Sequence, residues 1–289
     1  MDSPALLTLR DEVAVPVEST IPEYEGMLKS YHEAFSTELQ AMIAGLPIVG
    51  GNRVLDMACG DGVYSAWIAR HVGARGRVVA VDLLPAYLDL ARRSVANGPC
   101  PDRISLVGAA IEHLPFADGT FDVVWCAQSL FSLPEPVAAL AQLCRVTKPG
   151  GVVAVLENDS MHQVILPWPV EIELEVRRAE LASFVETSDH PRKYYVARRL
   201  PQTFRAAGLE DCHARTWATD RRGPLSGPTR SFFQAYLRQL QERVTPHLTS
   251  SVRTIFDQLV NPDSGGCLLD DPDLNVTYVD HVVWGRRPF

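Results

Sequence analysis

The chain has six cysteines, at 59, 100, 126, 144, 212 and 267, and none forms a Cys-x-x-Cys pair. That removes the usual spacing of a zinc ribbon or a thioredoxin-type redox site, so no metal is expected. The thiols are expected to be buried and free, which suits a reducing cytoplasm. A block of positive charge is also missing. The formal net charge is -8 and the Arg-Arg pairs, such as Arg92-Arg93 and Arg286-Arg287, are scattered. This argues against nucleic acid as a partner. No apolar run approaches the ~20 residues of a membrane-spanning helix, so no membrane partner is expected. The opening residues, "MDSPALLTLRDEVAV", lack the basic, apolar, small-residue order of a signal peptide. There is no internal repeat and no low-complexity tract.

What is present is a regular alternation of strand and helix. Strands are predicted at "RVLDMA" from Arg53, "RVVAVD" from Arg77, "RISLVGA" from Arg103, "FDVVWCA" from Phe121 and "GVVAVLE" from Gly151. They are Val-rich and nearly continuous in apolar character, as in a parallel sheet covered on both faces. Helices are predicted over Tyr64–Val72, Pro85–Ala96 and Pro136–Val146. Right-handed crossovers then make the sheet doubly wound. Further along, helices are expected near Val170–Glu186, Leu200–Ala207, Thr229–Val244 and Ser250–Val260. A sixth strand is expected at "EDCHARTWAT" and a seventh at "NVTYVDHVVWG". Ahead of the sheet, residues 1–19 read as loosely ordered. "TIPE" from Thr20 has the form of a capping box. Tyr24, Leu28, Tyr31, Phe35, Leu39 and Met42 then recur at helical spacing, giving one amphipathic helix that ends near Gly45.

The turn after the first strand, "GDGVYS", carries Gly60 and Gly62, with Ser65 where a dinucleotide fingerprint has its third glycine. Asp82 ends the second strand, where an acidic side chain can hold ribose hydroxyls. This pattern alone does not separate a dinucleotide from another adenosine cofactor.

Four motifs in order separate them: "VLDMACGDG", "VVAVDLLPAYL", "IEHLPFADGTFDVV" and "VTKPGGVVAVLE". Together they resemble the class I S-adenosylmethionine (SAM) dependent methyltransferases, in particular the small-molecule branch typified by ubiquinone and menaquinone biosynthesis. The resemblance spans about Arg53–Asn158. It implies a mostly parallel, seven-stranded Rossmann-like sheet with an antiparallel last strand, and SAM as cofactor. It also implies roles. The backbone around Asp56, Ala58 and Gly60 would meet the methionine end, Gly60 and Gly62 supplying the turn. Asp82 would accept from the ribose, Leu83 would pack on adenine, and Ile111 would offer adenine a backbone amide. Gln128 would face the methionine. The family often has an Asp that accepts the adenine amino group, and here Ala110 stands in its place.

Methyl transfer from a sulfonium demands no particular catalytic residue type, so the acceptor stays open as an oxygen, nitrogen or carbon nucleophile on a small molecule. A protein of this fold that binds SAM without methylating, as a cyclase or a sensor, is the alternative. The chain lacks the Asp/Asn-Pro-Pro-aromatic motif of nucleic-acid amino-methyltransferases, having "CAQSLFSLP" there. Just past the fifth strand, Asn158 is expected to touch the acceptor. His162 is expected either to act as general base or to be an ordinary loop histidine. Tyr24, Tyr31 and Tyr195, with Tyr194 beside it, are expected either to line the acceptor cavity or to pack in the core. The domain reading is an N-terminal segment and lid helix over 1–47, a SAM-binding core over 48–158, and a C-terminal half over 159–289. The last carries helical lid inserts at 159–208 and 223–272. A small-molecule partner and a cytoplasmic location are expected, and a homodimer is kept open.

Overall fold

The structure, a computed structural model, describes residues 25–187 and 194–289. The 1–19 segment, the capping box over Thr20–Glu23 and Tyr24 lie outside the described residues. The sheet is built from β1 (Arg53–Met57), β2 (Arg77–Asp82), β3 (Ile104–Gly108), β4 (Phe121–Ala127), β5 (Thr147–Glu157), β6 (Val164–Ile165), β7 (Glu210–Arg222) and β8 (Asn275–Arg286). Its order is β3-β2-β1-β4-β5-β8, with β7 on the far side of β8. β1 to β5 pair in parallel and β8 runs antiparallel to β5. The mixed, mostly parallel Rossmann-like sheet with an antiparallel last strand is therefore as expected. It gains an eighth member in β6, a two-residue strand that prolongs the β5 edge of β8 by pairing Val164 with Tyr278. A two-residue pairing has no period for a sequence pattern to display.

Alternation along each central strand sends successive side chains into two separate cores. Val123 and Trp125 of β4, with Val152, Ala154 and Leu156 of β5, enter one of them. Val124, Cys126, Val153 and Val155 enter the other. This is why the strands read as unbroken apolar runs. The first core is covered by α1 (Glu25–Ala34), α2 (Ser36–Ala44), α3 (Val63–Val72) and α8 (Gly227–Val244). The second is covered by α5 (Pro136–Val146) and α7 (Val196–Ala206). α4 (Pro85–Ala96) packs Ala91 against Ala80 of β2. Proline stands in the first turn of α4, α5 and α8, where its missing N–H costs no intrahelical bond. α6 (Val170–Thr187) and α9 (Ser250–Val260) complete the helices.

Three expectations change. The N-terminal amphipathic stretch forms two helices bent at Phe35, whose φ is -119° and ψ 17°. The bonds Phe35 N to Tyr31 O and Leu39 N to Phe35 O still link residues four apart, so the stripe stays on one side. α7 begins at Val196, a turn earlier than Pro201 suggests, because Val196, Ala197, Leu200 and Phe204 bury one face. This helix covers the sheet, whereas the 159–208 stretch was expected to be lid. Of the cysteines, Cys59, Cys126 and Cys267 are buried, while Cys100, Cys144 and Cys212 are only partly so, and all six are free. No helix among the described residues is long and apolar enough to cross a membrane.

Phe35 joins the N-terminal helices to the sheet. It is fully buried. It stacks on Tyr278 at 4.9 Å between ring centroids and meets Phe232 edge-on at 5.3 Å. Phe35→Ala should cost about 3–5 kcal/mol in urea unfolding, through lost burial and a residual cavity. A loss below about 1 kcal/mol would mean that α1 and α2 are not integral to the core.

Candidate functional site

A cavity of about 670 Å³ opens at the carboxyl ends of β1, β2, β4 and β5. Such sheets bind ligands at that edge. Its rim on one side is the β1–α3 turn. Ala58 has φ 56°, Gly60 54° and Gly62 81°. A left-handed alanine is costly, and the surrounding bonds hold it. Cys59 N donates to Val81 O and Gly62 N to Cys59 O. A Cβ on Gly62 would sit 3.2 Å from the Ala91 Cβ, so glycine lets α4 approach the turn closely.

Asp82 ties this turn to β2. Its Oδ2 accepts from Gly60 N and its Oδ1 from Leu84 N, both at 2.9 Å. Burial raises its carboxyl above the ordinary range, against these amide bonds. Asp56 lies beneath the turn. It is buried and accepts from the Ser65 hydroxyl. The residue in the third-glycine position thus has a structural use: its hydroxyl satisfies a carboxylate inside the core.

The opposite rim follows β4. Gln128 has φ 50°, and its N donates to Leu156 O. Glu157 accepts from Ser129 N at 2.8 Å and Leu130 N at 2.6 Å, fixing a 3-10 turn over Leu130–Ser132. Burial pushes the Glu157 carboxyl up to about 8. Beyond this rim the cavity widens into an aromatic chamber. Tyr31 and His32 of α1, Phe184 of α6, Phe232 of α8, Tyr278 of β8 and Tyr194 line it.

A hydrogen-bond chain runs along the chamber. Gln128 Nε2 donates to Asn158 Oδ1 at 2.8 Å, and Asn158 Nδ2 donates to Asp280 Oδ1 at 2.8 Å. Tyr31 Oη donates to the same Asp280 oxygen at 2.7 Å. Burial pushes the Asp280 carboxyl up to about 6 and the Tyr31 hydroxyl well above its ordinary value.

The expected residues divide accordingly. Ala58, Gly60, Asp82, Leu83, Ile111, Gln128, Tyr31 and Asn158 share one cavity. Asp56, Gly62 and Ala110 are not among its lining residues: Asp56 faces Ser65, Gly62 faces Ala91, and Ala110 precedes the 3-10 turn over Ile111–His113. Ile111 and Glu112 line the cavity instead. The Gly60 amide, expected to meet a ligand, is taken by Asp82. Of the two alternatives for His162, the structure shows an exposed loop side chain: it is not among the residues lining the cavity, is 56% exposed, and its Nδ1 lies 3.0 Å from an Arg198 nitrogen. The chain leaving Glu157 turns at Asp159, whose carbonyl accepts from His162 N, and this carries the imidazole outward. Tyr195 is not among the residues lining the cavity. Its hydroxyl meets Met161 Sδ while Arg198 stacks on its ring, and its neighbour Tyr194 lines the cavity.

Sequence reasoning missed Asp280, His32 and Phe232. Asp280 had a readable signal: it shares the buried face of β8 with Val276, Tyr278 and Val282. A carboxylate in that register needs partners. His32 is also buried, and neither ring nitrogen makes a hydrogen bond, although Nδ1 lies 3.5 Å from Asp61 Oδ2. Nothing in the sequence distinguished it from an exposed helical histidine.

The donor set suits the adenosine cofactor that the sequence implies. Asp82 lines the cavity and has lone pairs left after its two amide bonds, so it would accept from ribose hydroxyls. Leu83 is 43% exposed at the rim, an apolar surface that would pack on adenine. Glycine at 60 leaves the approach open, since a Cβ there would meet only Leu28, at 3.8 Å.

Comparison with known proteins agrees. Residues 54–151 match the family described as a methyltransferase domain. Over 182 residues the chain is 30% identical to the demethylmenaquinone methyltransferase of Lactiplantibacillus plantarum, covering 59% of this chain and 76% of that protein. Over 107 residues it is 42% identical to the ubiquinone/menaquinone biosynthesis C-methyltransferase UbiE of Haemophilus ducreyi, covering 37% of this chain and 41% of that protein. The similarity to that relative thus spans less than half of its length. The fold overlays the YcgJ protein of Bacillus subtilis with a TM-score of 0.57 at 15% identity, covering 88% of this chain and 99% of that one. At that identity the overlay speaks for the fold alone.

Two measurements check the site as built. Burial holds the Asp56 carboxyl at about 7, against 3.8 for a free group. A carboxyl raised in the folded state contributes stability that is complete below the unfolded pKa and is lost as pH rises through the folded one. Urea unfolding at pH 5 and pH 8 should therefore show a larger loss at pH 8 for the wild type than for Asp56→Asn, by about 2.6 kcal/mol at most. Equal losses would mean that Asp56 is not held protonated. Asp82→Ala should weaken calorimetric binding of SAM by about 10-fold or more, the range of a hydrogen bond to a charged acceptor. Unchanged affinity would remove Asp82 from the site.

Proposed function

Since this chain belongs to the class I SAM-dependent methyltransferases, we propose that its methyl acceptor is a small organic molecule held in the aromatic chamber. The observation that carries this reading is the continuity of one cavity. The same space is bounded by Gly60 and Asp82 at the cofactor rim and by Tyr31, Phe232 and Tyr278 at the other end. A volume of about 670 Å³ is within the range of small-molecule sites. α1, α6 and α8 contribute walls to it through Tyr31, Phe184 and Phe232.

SAM, when bound, supplies an electrophilic methyl group on a sulfonium. The residues of this chain then have three tasks. Asp82, Leu83 and Ile111 would hold the nucleoside. Gln128, fixed by Asn158 and by its own amide bond to Leu156, would border the methionine end. The aromatic walls would orient the acceptor and exclude water. Orientation for an in-line displacement alone accounts for much of the acceleration in such reactions. The similarity to a demethylmenaquinone methyltransferase puts quinone-type ring compounds and their reduced forms first among acceptors to try.

Release of S-adenosylhomocysteine should be measured with SAM and a panel of phenols, amines and carbon acids of one to three rings. At least one should raise the rate 10-fold or more above the acceptor-free background. Turnover seen only with nucleic acid or protein acceptors would overturn the reading.

A further inference from the structure

We propose that the acceptor's nucleophile is an aromatic hydroxyl, that Tyr31 is the catalytic residue receiving its proton, and that Asp280 is the positioning residue that draws the proton through Tyr31. This rests on the reading that a small acceptor occupies the chamber. The carrying observation is the junction of Tyr31, Asn158 and Asp280, where both donors converge on one carboxylate oxygen, Oδ1. The other oxygen, Oδ2, is buried and has no hydrogen-bond partner among the described residues. A buried carboxylate with spare accepting capacity is strongly destabilising unless it is used. It stands behind the chamber wall: Tyr31 and Asn158 line the cavity, and Asp280 is fully buried.

That placement selects the acceptor's chemistry. The Tyr31 hydrogen points at Asp280, so the lone pairs of its oxygen, which the Tyr64 hydroxyl adjoins, can receive a donor from the chamber. A neutral hydroxyl is such a donor. An ammonium would seek the carboxylate itself, which Tyr31 and Asn158 screen. The chain continues through Asn158 to Gln128, so it reaches the rim proposed for the methionine end.

The step balances as follows. The acceptor O–H proton passes to Tyr31 Oη as the Tyr31 proton passes to Asp280 Oδ1. The freed oxygen lone pair forms the new O–CH3 bond while the S–CH3 bond breaks, its electron pair staying on sulfur. A methyl ether, a neutral thioether and a protonated Asp280 result, and the carboxyl returns its proton to solvent before the next turnover.

The rate should then depend on ionised Asp280. The groups facing it are Tyr31 of α1, Glu38 of α2, Tyr64 of α3, Asn158 after β5 and Tyr278 of β8. Glu38 is in turn paired with Arg221 of β7. Burial, partly offset by the bonds from Tyr31 and Asn158, sets the carboxyl at about 6, so activity should rise with pH through about 6 and then level.

The test uses the full chain with three probes: 2-naphthol, 2-methoxynaphthalene and 2-naphthylmethylamine. In the S-adenosylhomocysteine complex, wild type should bind 2-naphthol at least 10-fold more tightly than its methyl ether. Tyr31→Phe and Asp280→Asn, each shown to be folded by its thermal transition, should bring that ratio below threefold. With SAM, single-turnover methylation of 2-naphthol should fall about 10²-fold in either variant, within the range for general acid–base groups, and the limb near pH 6 should vanish. An undiminished ratio and pH limb in both variants would overturn the proposal, as would a 10-fold preference for the amine. If no phenol reacts while an amine or carbon acid of the panel turns over, this proposal fails and the small-acceptor reading stands. If no acceptor turns over, both fail.

Discussion

The carboxylate of Asp82 is the contact on which the rest of the site depends. It holds the Gly60 amide from the β1 turn and the Leu84 amide at the start of α4. Two adjacent parallel strands end at the same edge, and without a shared partner their loops would move independently. One side chain fixes both and still presents oxygen to the cavity. The left-handed conformations at Ala58, Gly60 and Gly62 follow from this, because the turn must bring an amide back toward β2 within a few residues. The position of Leu83 follows as well, since it is the residue between the two anchors.

Three further carboxylates are buried at the same end of the sheet, each with a distinct set of donors. Asp56 has Ser65, Glu157 has the amides of Ser129 and Leu130, and Asp280 has Tyr31 and Asn158. Burial raises all three above the ordinary carboxylate range. Each therefore opposes folding at neutral pH by an amount that its hydrogen bonds only partly offset. Asp56 holds Ser65, and one oxygen of Glu157 holds two loop amides. Among the described residues Asp280 leaves Oδ2 without a partner, and its two donors, Tyr31 and Asn158, line the chamber.

Most of the sheet was legible because its central strands are buried on both faces and two of the helices between them begin at proline. Pro85 and Pro136 mark the starts of α4 and α5 in the sequence and in the structure. The bend at Phe35 was not legible, since the apolar spacing continues through it. β6 was not legible either, because it exists only where β8 offers a partner. In the site, the Gly60, Asp82 and Gln128 region could be found from motifs because its chemistry is fixed by local turns. The acceptor end depends on contacts between residues far apart in the chain, such as Tyr31 with Asp280, and one-dimensional spacing carries no trace of them. The direction of the His162 side chain was not legible for a related reason. Its distance in sequence from β5 was right, but the Asp159 turn points it away from the cavity.

The central claim is that the strand-end loops clasped by Asp82 are the SAM site. Amide hydrogen exchange of the full chain, with and without saturating SAM, tests it most directly. Binding should slow exchange of the amides at 58–62, 83–84, 111–112 and 128 together, with little change in β7 or α9. Slowing confined to other segments, or none at these four places, would contradict the account.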